Sequence, residues 1–297
     1  MSLQLKRIVM AALGILGAAM LWPILLTVQR WQSMFPSYLV FSLAQGVCLG
    51  FVFGALFGSF EGIVVSSRAK SFKGLIFGAL FGACAGAFGV LVGQLFLFLA
   101  GAALFRSNSA RMGVGIVVAN GIAWVIIGMF LAMTEGLRAR SPRKLMVGLL
   151  GGLLGGLSGG LALSALQMWK PNGRFSLLAG LALFGFLLSL FYSVLENRFQ
   201  AGTLKLLNGP LKGKEYPVVS RKTMLGVDAA CDIVLKGYPD VQDVHAALTL
   251  EKGKVYVRAV KPGARLLVND GPAQDASLRP EDVIAVGKAK FLYGYFS

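Results

Sequence analysis

Long apolar runs alternate with short polar segments over the first two thirds of the chain. Six of these runs are long enough to cross a bilayer as helices, and they lie at about 8–28, 38–60, 74–100, 112–134, 145–168 and 176–195. After residue 200 the pattern changes to short alternating segments. The pattern therefore predicts an all-α polytopic bundle of six transmembrane helices over 1–200 and a second, β-rich domain over 201–297.

Nine short strands are predicted in the second region. They lie at 203–207, 214–219, 222–227, 232–236, 245–251, 254–260, 265–269, 282–286 and 290–295, and Gly, Pro, Asn and Asp separate them. Short, evenly spaced strands with turn residues between them are typical of an all-β sandwich. The predicted fold class is therefore a multi-domain membrane protein with a C-terminal β-sandwich.

Composition supports this division of the chain. Hydrophobic residues make up 56% of the 297 residues and charged residues only 14%, whereas soluble domains carry about 25% charged residues. The net charge of +16 lies mostly in residues 1–200, which hold 15 Lys and Arg but only three acids. Because this charge flanks apolar segments instead of forming a stripe on a soluble face, we expect no nucleic-acid partner.

The basic residues also predict the orientation in the membrane. Ten would lie on one side and five on the other, and this bias places both termini and the β-rich domain in the cytoplasm. The first apolar run is longer than the core of a signal peptide, so we expect an uncleaved helix. The ten are Lys6, Arg7, Arg68, Lys70, Lys73, Arg138, Arg140, Arg143, Lys144 and Arg198, and the five are Arg30, Arg106, Arg111, Lys170 and Arg174.

Seven of these cations form a predicted basic collar at the level of the lipid headgroups. Each could attract anionic lipid by about 1 kcal/mol. We therefore expect membrane lipid as a partner of the collar, which consists of Arg68, Lys70, Lys73, Arg138, Arg140, Arg143 and Lys144.

The membrane half contains an internal repeat. The segment "FGALFGSFEGIVVSSRAKSFKG" and the segment "IGMFLAMTEGLRARSPRK" each join a helix, a Glu-Gly pair, a basic loop with Ser and a second, Gly-rich helix. The two units, 38–100 and 112–168, run in the same direction, which predicts a parallel duplication of a helical hairpin. The sixth apolar run ends in "FYSVLENRFQ" and resembles a third half-unit without a Gly-rich partner.

Glycines recur every four residues in the apolar runs, so they fall on one stripe of each helix. Such stripes favour close helix–helix packing of the glycine-zipper kind, and the alternative uses are a homo-oligomer seam or a pore wall. The glycines concerned are Gly46, Gly50, Gly54, Gly58, Gly74, Gly78, Gly82, Gly86, Gly148, Gly152, Gly156 and Gly160.

Glu61, Glu135 and Glu196 are the only acids of residues 1–200, and each lies at the cytoplasmic end of an even-numbered apolar run. Isolated carboxylates at a bilayer edge are costly unless they are paired or hydrated. We expect ion pairs with the adjacent basic residues: Glu61 with Arg68 or Lys70, Glu135 with Arg138 or Arg140, and Glu196 with Arg198 or a neighbouring loop. A cation site or proton relay is the alternative, although the runs themselves offer mainly Gln45, Gln94, Asn120, Ser and Thr as polar groups.

The C-terminal region resembles the forkhead-associated (FHA) family. The resemblance covers about 203–297 and rests on "MLGVDAACDIVL", on "VQDVHAALTLEKGKVYVRAV" and on "LLVNDGP" followed by "LRPEDVIAVGKAKFLYG". It implies a sandwich of two sheets whose loops at one end bind phosphothreonine peptides.

Three departures from the family pattern affect the phosphate site that the resemblance implies. Val227 stands where the family has the phosphate-binding Arg, Gln242 and Asp243 replace Ser and Arg, and the register gives Ala264-Arg265 in place of Asn-Gly. Only His245, which braces the loops in the family, matches. We therefore expect this end to make phosphate-independent protein contacts through Val227, Gln242, Asp243, Arg265 and Asn269.

These observations favour a non-enzymatic membrane adaptor or scaffold, as a subunit of a larger membrane complex with one or more protein partners. A channel or transporter regulated by the FHA-like domain is the first alternative, and a phosphothreonine-dependent signalling protein is the second. We expect no catalytic site, metal site or cofactor, because His245 is the only His and the three cysteines, Cys48, Cys84 and Cys231, form no C-x-x-C pair.

Overall fold

The structure is a computed structural model of the full chain. It describes residues 3–65, 68–105, 109–138, 141–169, 174–218, 222–251, 253–261 and 263–294. Arg140 of the predicted basic collar lies outside these residues.

The described part of the first 200 residues contains six long helices. They are α1 (Leu3–Arg30), α2 (Tyr38–Val65), α3 (Arg68–Phe105), α4 (Ser109–Arg138), α5 (Pro142–Trp169) and α6 (Arg174–Phe199). All six are long and apolar enough to cross a membrane, as the hydrophobic pattern predicted. The helices extend beyond the apolar runs at most ends, because the flanking basic and polar residues continue the helical turns.

The first hairpin, α2–α3, is held together by contact between backbones. Gly54 lies against Gly78, and Gly50 lies against Gly82, so closely that a Cβ atom on any of these glycines would overlap the carbonyl oxygen opposite. The same facing continues at both ends of the stripe, with Gly46 against Gly86 and Gly58 against Gly74. Helices approach this closely only where side chains are absent, and dispersion and weak Cα–H contacts then join them.

The second hairpin, α4–α5, repeats the arrangement of the first. Gly128 lies against Gly152, and Ala132 takes the place that Gly58 has in α2, opposite Gly148. A second row of glycines on α5 packs on α6 instead, and it consists of Gly151, Gly155 and Gly159. These glycines lie against the Cα atoms of Tyr192, Leu188 and Phe184, in that order. The stripe glycines of both hairpins therefore lie at contacts within one molecule.

The third half-unit has a partner, contrary to the sequence expectation. Gly185 of α6 lies against Gly14 of α1, and the hydroxyl of Ser189 donates to the carbonyl oxygen of Met10 at 3.1 Å. Helices α1 and α6 therefore form a third pair that packs like the two hairpins, although they are the first and the last helices of the bundle. We count this pair as the third hairpin. The sequence pattern does not reveal this helix pair, because α1 and α6 are not consecutive and because α1 keeps only part of the glycine stripe.

The even-numbered helices meet at the centre of the bundle. The ring of Phe184 (α6) lies 5.6 Å from the ring of Phe53 (α2) and 4.8 Å from the ring of Trp124 (α4), measured between centroids. Phe53 and Phe184 are fully buried. The three hairpins are thus arranged around one axis, which apolar side chains fill at mid-height.

The C-terminal region forms two packed sheets, as predicted. The strands are β1 (Thr203–Leu206), β2 (Glu215–Pro217), β3 (Lys222–Gly226), β4 (Ile233–Val234), β5 (Ala246–Glu251), β6 (Lys254–Ala259), β7 (Leu266–Val268), β8 (Gly271–Pro272), β9 (Asp275–Leu278), β10 (Val283–Val286) and β11 (Ala289–Gly294). One sheet has the order β2-β1-β11-β10-β7-β8 and the other β4-β3-β5-β6-β9. All nine predicted strands are present, and the sequence pattern missed β8 and β9, since β8 has two residues and β9 buries only Leu278.

Alternation of side chains produces the core of the sandwich. Leu204 and Leu206 of β1, Leu248 of β5 and Phe291 of β11 point inward and are fully or almost fully buried. Only three residues separate α6 from β1, and the hydroxyl of Tyr293 donates to the carbonyl oxygen of Ala201 at 2.7 Å. This hydrogen bond fastens the junction between the last helix and the sandwich.

Replacing Gly54 by Ala is expected to destabilise the α2–α3 hairpin. The new methyl group would overlap the carbonyl oxygen of Gly78, and relieving such overpacking costs about 1–3 kcal/mol. The matched control is Gly121→Ala in α4, where a Cβ atom meets nothing within 4 Å. In detergent, Gly54→Ala should lower the thermal denaturation midpoint and Gly121→Ala should leave it unchanged or raise it; equal midpoints would contradict the packing described here.

Candidate functional site

Three glutamates gather where the bundle meets the sandwich, and we call this the domain-facing end of the bundle. Glu61, Glu135 and Glu196 lie near the last residues of α2, α4 and α6. Glu135 and Glu196 are buried, whereas Glu61 is half-buried. The repeat explains the convergence, because each glutamate holds the same position in its hairpin.

Glu61 is held by two cations from the second hairpin. Its carboxylate lies 2.5 Å from a guanidinium nitrogen of Arg138 and 3.0 Å from the Nζ atom of Lys144. The predicted partners of Glu61 were Arg68 or Lys70 from its own loop, and this prediction is wrong. The difference arises because the hairpins are arranged around one axis, and this arrangement places the end of α4 and the start of α5 beside α2.

Glu135 shares Arg138 with Glu61 but is less well satisfied. Its Oε1 atom lies 3.6 Å from the guanidinium, as the expected pairing with Arg138 required. The same oxygen is buried, and no hydrogen bond reaches it from the residues that the structure describes. A buried carboxylate oxygen without a donor costs about 1–3 kcal/mol or more, so this position requires hydration.

Glu196 is paired across the ends of the membrane domain. The Nζ atom of Lys6 lies 2.7 Å from its carboxylate, and both side chains are largely buried. The ammonium group also lies 5.7 Å from the centre of the Phe60 ring, within the range of a cation–π contact. The predicted partner of Glu196 was Arg198 or a neighbouring loop. Lys6 takes this place because α1 packs against α6.

Local sequence places Lys144 in this cluster. Ser141 precedes α5 and its hydroxyl accepts a hydrogen bond from the Lys144 amide at 3.4 Å, while Pro142 occupies the first helical turn. Ser before Pro is a strong signal for the start of a helix. Because α5 begins here, its first turn directs Lys144 at Glu61.

A small cavity separates the glutamate cluster from the sandwich. Its volume is about 70 Å³, room for a few waters. Its walls include Glu135 and Lys144 of the bundle and Tyr216, Thr223 and Asp232 of the sandwich. Beside it, the ammonium group of Lys70 donates to the carbonyl oxygen of Cys231. The cavity can therefore hold the water that Glu135 requires.

The three glutamates and the three cations that pair with them balance in charge. Lys6, Arg138 and Lys144 supply the positive charges. Within the described ranges, no group of three His, Cys, Asp or Glu side chains is arranged to hold a metal ion. This arrangement favours an ion-pair network that joins helix ends and disfavours a cation site.

The other members of the basic collar differ in exposure. Arg68 and Lys73 are exposed, and Arg143 is half-buried. Arg138 and Lys144 belong to the ion-pair network. Contact of the exposed members with lipid headgroups stays a prediction.

The loop end of the sandwich is where the FHA resemblance places a phosphate site. Val227 and Gln242 are joined by a backbone hydrogen bond of 3.1 Å, and Asp228 and Asp243 are joined by another of the same length. These bonds hold Val227, Gln242 and Asp243 beside one another, with Val241 and Lys261 around the same depression. An exposed Asp243 repels phosphate, and an anion site needs several converging donors.

His245 links two loops at this end. Its ring is buried, its Nδ1 atom accepts from the Gln242 amide at 3.2 Å, and its Nε2 atom lies 3.0 Å from the carbonyl oxygen of Arg265. The neutral tautomer with a proton on Nε2 satisfies both contacts. The geometry supports the bracing role that the resemblance implies.

Asn269 does not lie with the other predicted contact residues. Strand β7 runs between Arg265 and Asn269, so the two residues lie at opposite ends of a strand. The Asn269 side chain donates to Asp282 and accepts from the Val283 amide, both at 2.8 Å. We therefore correct the assignment: Asn269 stabilises a turn at the opposite end of the sandwich.

Cys231 lies below the loop end and is chemically protected. Its thiol is buried and donates to the carbonyl oxygen of Asp243 at 3.3 Å. Burial, together with the nearby carboxylates of Asp228 and Asp232, raises the pKa of the Cys231 thiol. A raised pKa disfavours the reactive thiolate, which indicates a structural role.

Breaking the Lys6–Glu196 pair should destabilise the bundle strongly. Glu196→Gln leaves a buried ammonium group without its carboxylate, and such a loss costs roughly 3–5 kcal/mol. Adding Lys6→Met should recover part of this cost. Thermal denaturation in detergent measures both effects.

The control for this pair is Asp240→Asn, which removes an exposed pair with Lys288 at 4.0 Å. Exposed pairs contribute at most about 1 kcal/mol. A loss in Glu196→Gln no larger than in this control would contradict the buried pairing.

Replacing His245 by Ala should loosen the loop end. The Gln242 amide would lose its acceptor, at a cost of about 1–3 kcal/mol. Hydrogen exchange of the Gln242 amide should therefore become faster. Asn269→Ala, at the opposite end, should leave that exchange unchanged; unchanged protection in His245→Ala would rule out the bracing role.

Comparisons with known proteins bear on the sandwich. The family model described as the cytoplasmic domain of an inner membrane component of the type III secretion system (T3SS) matches residues 205–294. A search of curated proteins gives no match. The match covers the sandwich and not the helical bundle.

Several solved structures are similar to the same part of the chain. An FHA domain from Chlamydia trachomatis is 22% identical, covers 32% of this chain and 98% of its own, and gives a TM-score of 0.30. The cytoplasmic domain of the T3SS sorting platform protein PscD from P. aeruginosa is 19% identical, covers 31% of this chain and 78% of its own, and gives a TM-score of 0.28. An FHA domain studied for phosphothreonine-dependent interactions is 20% identical, with coverages of 32% and 97% and a TM-score of 0.29. The C-terminal domain is a sandwich of two sheets that matches this family model, and six apolar helices precede it.

Proposed function

We propose that this protein is a non-enzymatic scaffold subunit of a membrane complex, whose FHA-like domain contacts a protein partner without reading phosphate. The family match to the cytoplasmic domain of a T3SS inner membrane component supports the scaffold part. The bundle, proposed as a domain over 1–200, anchors the chain, and the sandwich, proposed as a domain over 201–297, presents the contact surface.

The chemistry of the loop end carries the phosphate-independent part of the proposal. Val227 is apolar and half-buried, and Asp243 is exposed and negative at the depression where the family binds its phosphate. The side-chain oxygen of Gln242 is buried without a hydrogen bond from the described residues. Asp243 repels a phosphate group and Val227 offers it no hydrogen-bond donor, so a protein surface that carries donors suits this end better than a phosphate does.

The bundle supports a fixed position for the sandwich. Three residues join α6 to β1, and Lys70 of α3 contacts the backbone at Cys231. The basic residues predicted on this side favour a cytoplasmic sandwich with both termini on the same side, in an inner membrane. A partner would therefore meet the loop end at a defined height above the membrane surface.

Site-specific photocrosslinking tests this function in native membranes. A photoreactive amino acid at Val227 or Asp243 of the full chain should capture a protein partner, and treatment of the membranes with phosphatase should leave the yield unchanged. The matched control is the same amino acid at Lys254, an exposed residue at the start of β6. It lies at the opposite end of the sandwich and should capture much less.

Two outcomes would contradict the proposal in different ways. Loss of the crosslink after phosphatase would favour the phosphothreonine-dependent alternative. Equal capture at Val227 and Lys254 would remove the loop end as the contact surface. The variant Asp243→Arg supplies a charge test, because it should weaken a phosphate-independent contact with a donor-rich partner and strengthen any contact with phosphate.

A further inference from the structure

A second cavity lies on the bundle axis at the end opposite the glutamates, and we call it the distal vestibule. Its volume is about 250 Å³, equivalent to roughly eight waters. Residues of all six helices line it, from Leu25 in α1 to Leu181 in α6. Helices therefore surround it, and exposed residues such as Gln29 and Asn120 lie in its lining.

Five carboxamide side chains line this vestibule. Gln29 comes from α1, Gln94 from α3 and Gln167 from α5. Gln45 of α2 and Asn120 of α4 add two more amides. The odd-numbered and the even-numbered helices therefore both contribute amides to the lining.

The amides are available to a ligand in the vestibule. One hydrogen bond within the lining is formed by the Gln94 amide nitrogen, which donates to the hydroxyl of Ser42 at 3.5 Å. Tyr38 and Ser164 add hydroxyl groups to the lining. Gln45 and Gln94 are half-buried, and half-buried amides gain stability when water or a ligand binds them.

The charge of the lining limits the chemical class of that ligand. Among the described residues that line the vestibule there is no Asp, Glu, Lys, Arg or His. An ion entering it would lose hydration without gaining a counter-charge. An apolar solute would leave the amides without partners. A small uncharged solute with both donors and acceptors fits, since each carboxamide offers both.

The floor of the vestibule separates it from the glutamate cluster. Trp124, Ile127 and Leu49 line its inner part, and the Trp124 ring packs against Phe184 at 4.8 Å. Phe53 and Leu188 are fully buried below this contact. In this conformation the vestibule is closed at its inner end, and it does not continue as a channel to the glutamate cluster.

We propose that the distal vestibule binds small uncharged hydrogen-bonding solutes, of the amide or polyol class, from the side of the membrane opposite the sandwich. The proposal is independent of the scaffold function, because it concerns the other end of the bundle. Trp124 in the wall provides a natural reporter of occupancy.

The experiment follows Trp124 fluorescence in the full chain in lipid nanodiscs. Phe replaces the other three tryptophans, Trp22, Trp31 and Trp169, which leaves Trp124 alone. Titration with acetamide should give a saturable change in emission. Acetate, which has nearly the same shape but a negative charge, should bind at least tenfold more weakly. A parallel titration with glycerol tests the polyol class. The ratio of the glycerol and acetamide affinities shows whether the vestibule prefers polyols or amides.

Two lining variants and one control complete the design. Asn120→Leu and Gln45→Leu, on different helices, should each weaken acetamide binding by about tenfold, the loss expected from one hydrogen bond of about 1.4 kcal/mol. Gln32→Leu, an exposed amide outside the lining, should leave binding unchanged. Gel filtration identifies variants that do not fold.

Three results would overturn the proposal: a linear response without saturation, equal responses to acetamide and acetate, or unchanged binding in both lining variants. None of these outcomes affects the crosslinking test of the loop end, so the two proposals fail separately.

Discussion

Backbone-to-backbone contact along the glycine stripes is the constraint on which the rest of the bundle depends. Gly54 against Gly78 and Gly128 against Gly152 set the distance between the helices of each hairpin. With that distance fixed, the even-numbered helices turn Phe53, Trp124 and Phe184 toward one axis. The glutamates then meet at one end of the axis and the carboxamides at the other. A larger distance between the paired helices would move the glutamates apart, and the carboxamides as well. Helix packing therefore determines where these polar side chains lie.

The sequence predicts the parts of this fold that local patterns encode. Apolar length predicts six helices, alternation predicts the two-sheet sandwich, and four-residue spacing predicts the helix faces that touch. The pairing of α1 with α6 was beyond reach, because only partial glycine spacing in α1 marks it. The partners of Glu61 and Glu196 were missed for the same reason: Lys144 and Lys6 come close through the arrangement of hairpins around the axis.

At the loop end, sequence and structure contribute differently. The resemblance identifies Val227, Gln242 and Asp243 as the positions where a phosphate would bind, and their residue types already argue against it. Only coordinates reveal that the Gln242 side-chain oxygen is buried without a donor from the described residues, and that Asn269 lies at the other end of β7. The short strand β7 is the physical reason, since a strand carries its two flanking residues to opposite ends of a sandwich.

The ring of helices closes through a contact between the first and the last of them. Lys6 and Glu196 are separated by 190 residues of chain, so during translation α1 enters the membrane long before its partner exists. Until α6 has been synthesised, the Lys6 ammonium group must remain hydrated at the membrane surface, and the Gly14 face of α1 meets lipid. Ring closure can therefore take place only after α6 has entered the membrane. The contact that closes the ring thus joins the first helix of the bundle to be synthesised with the last.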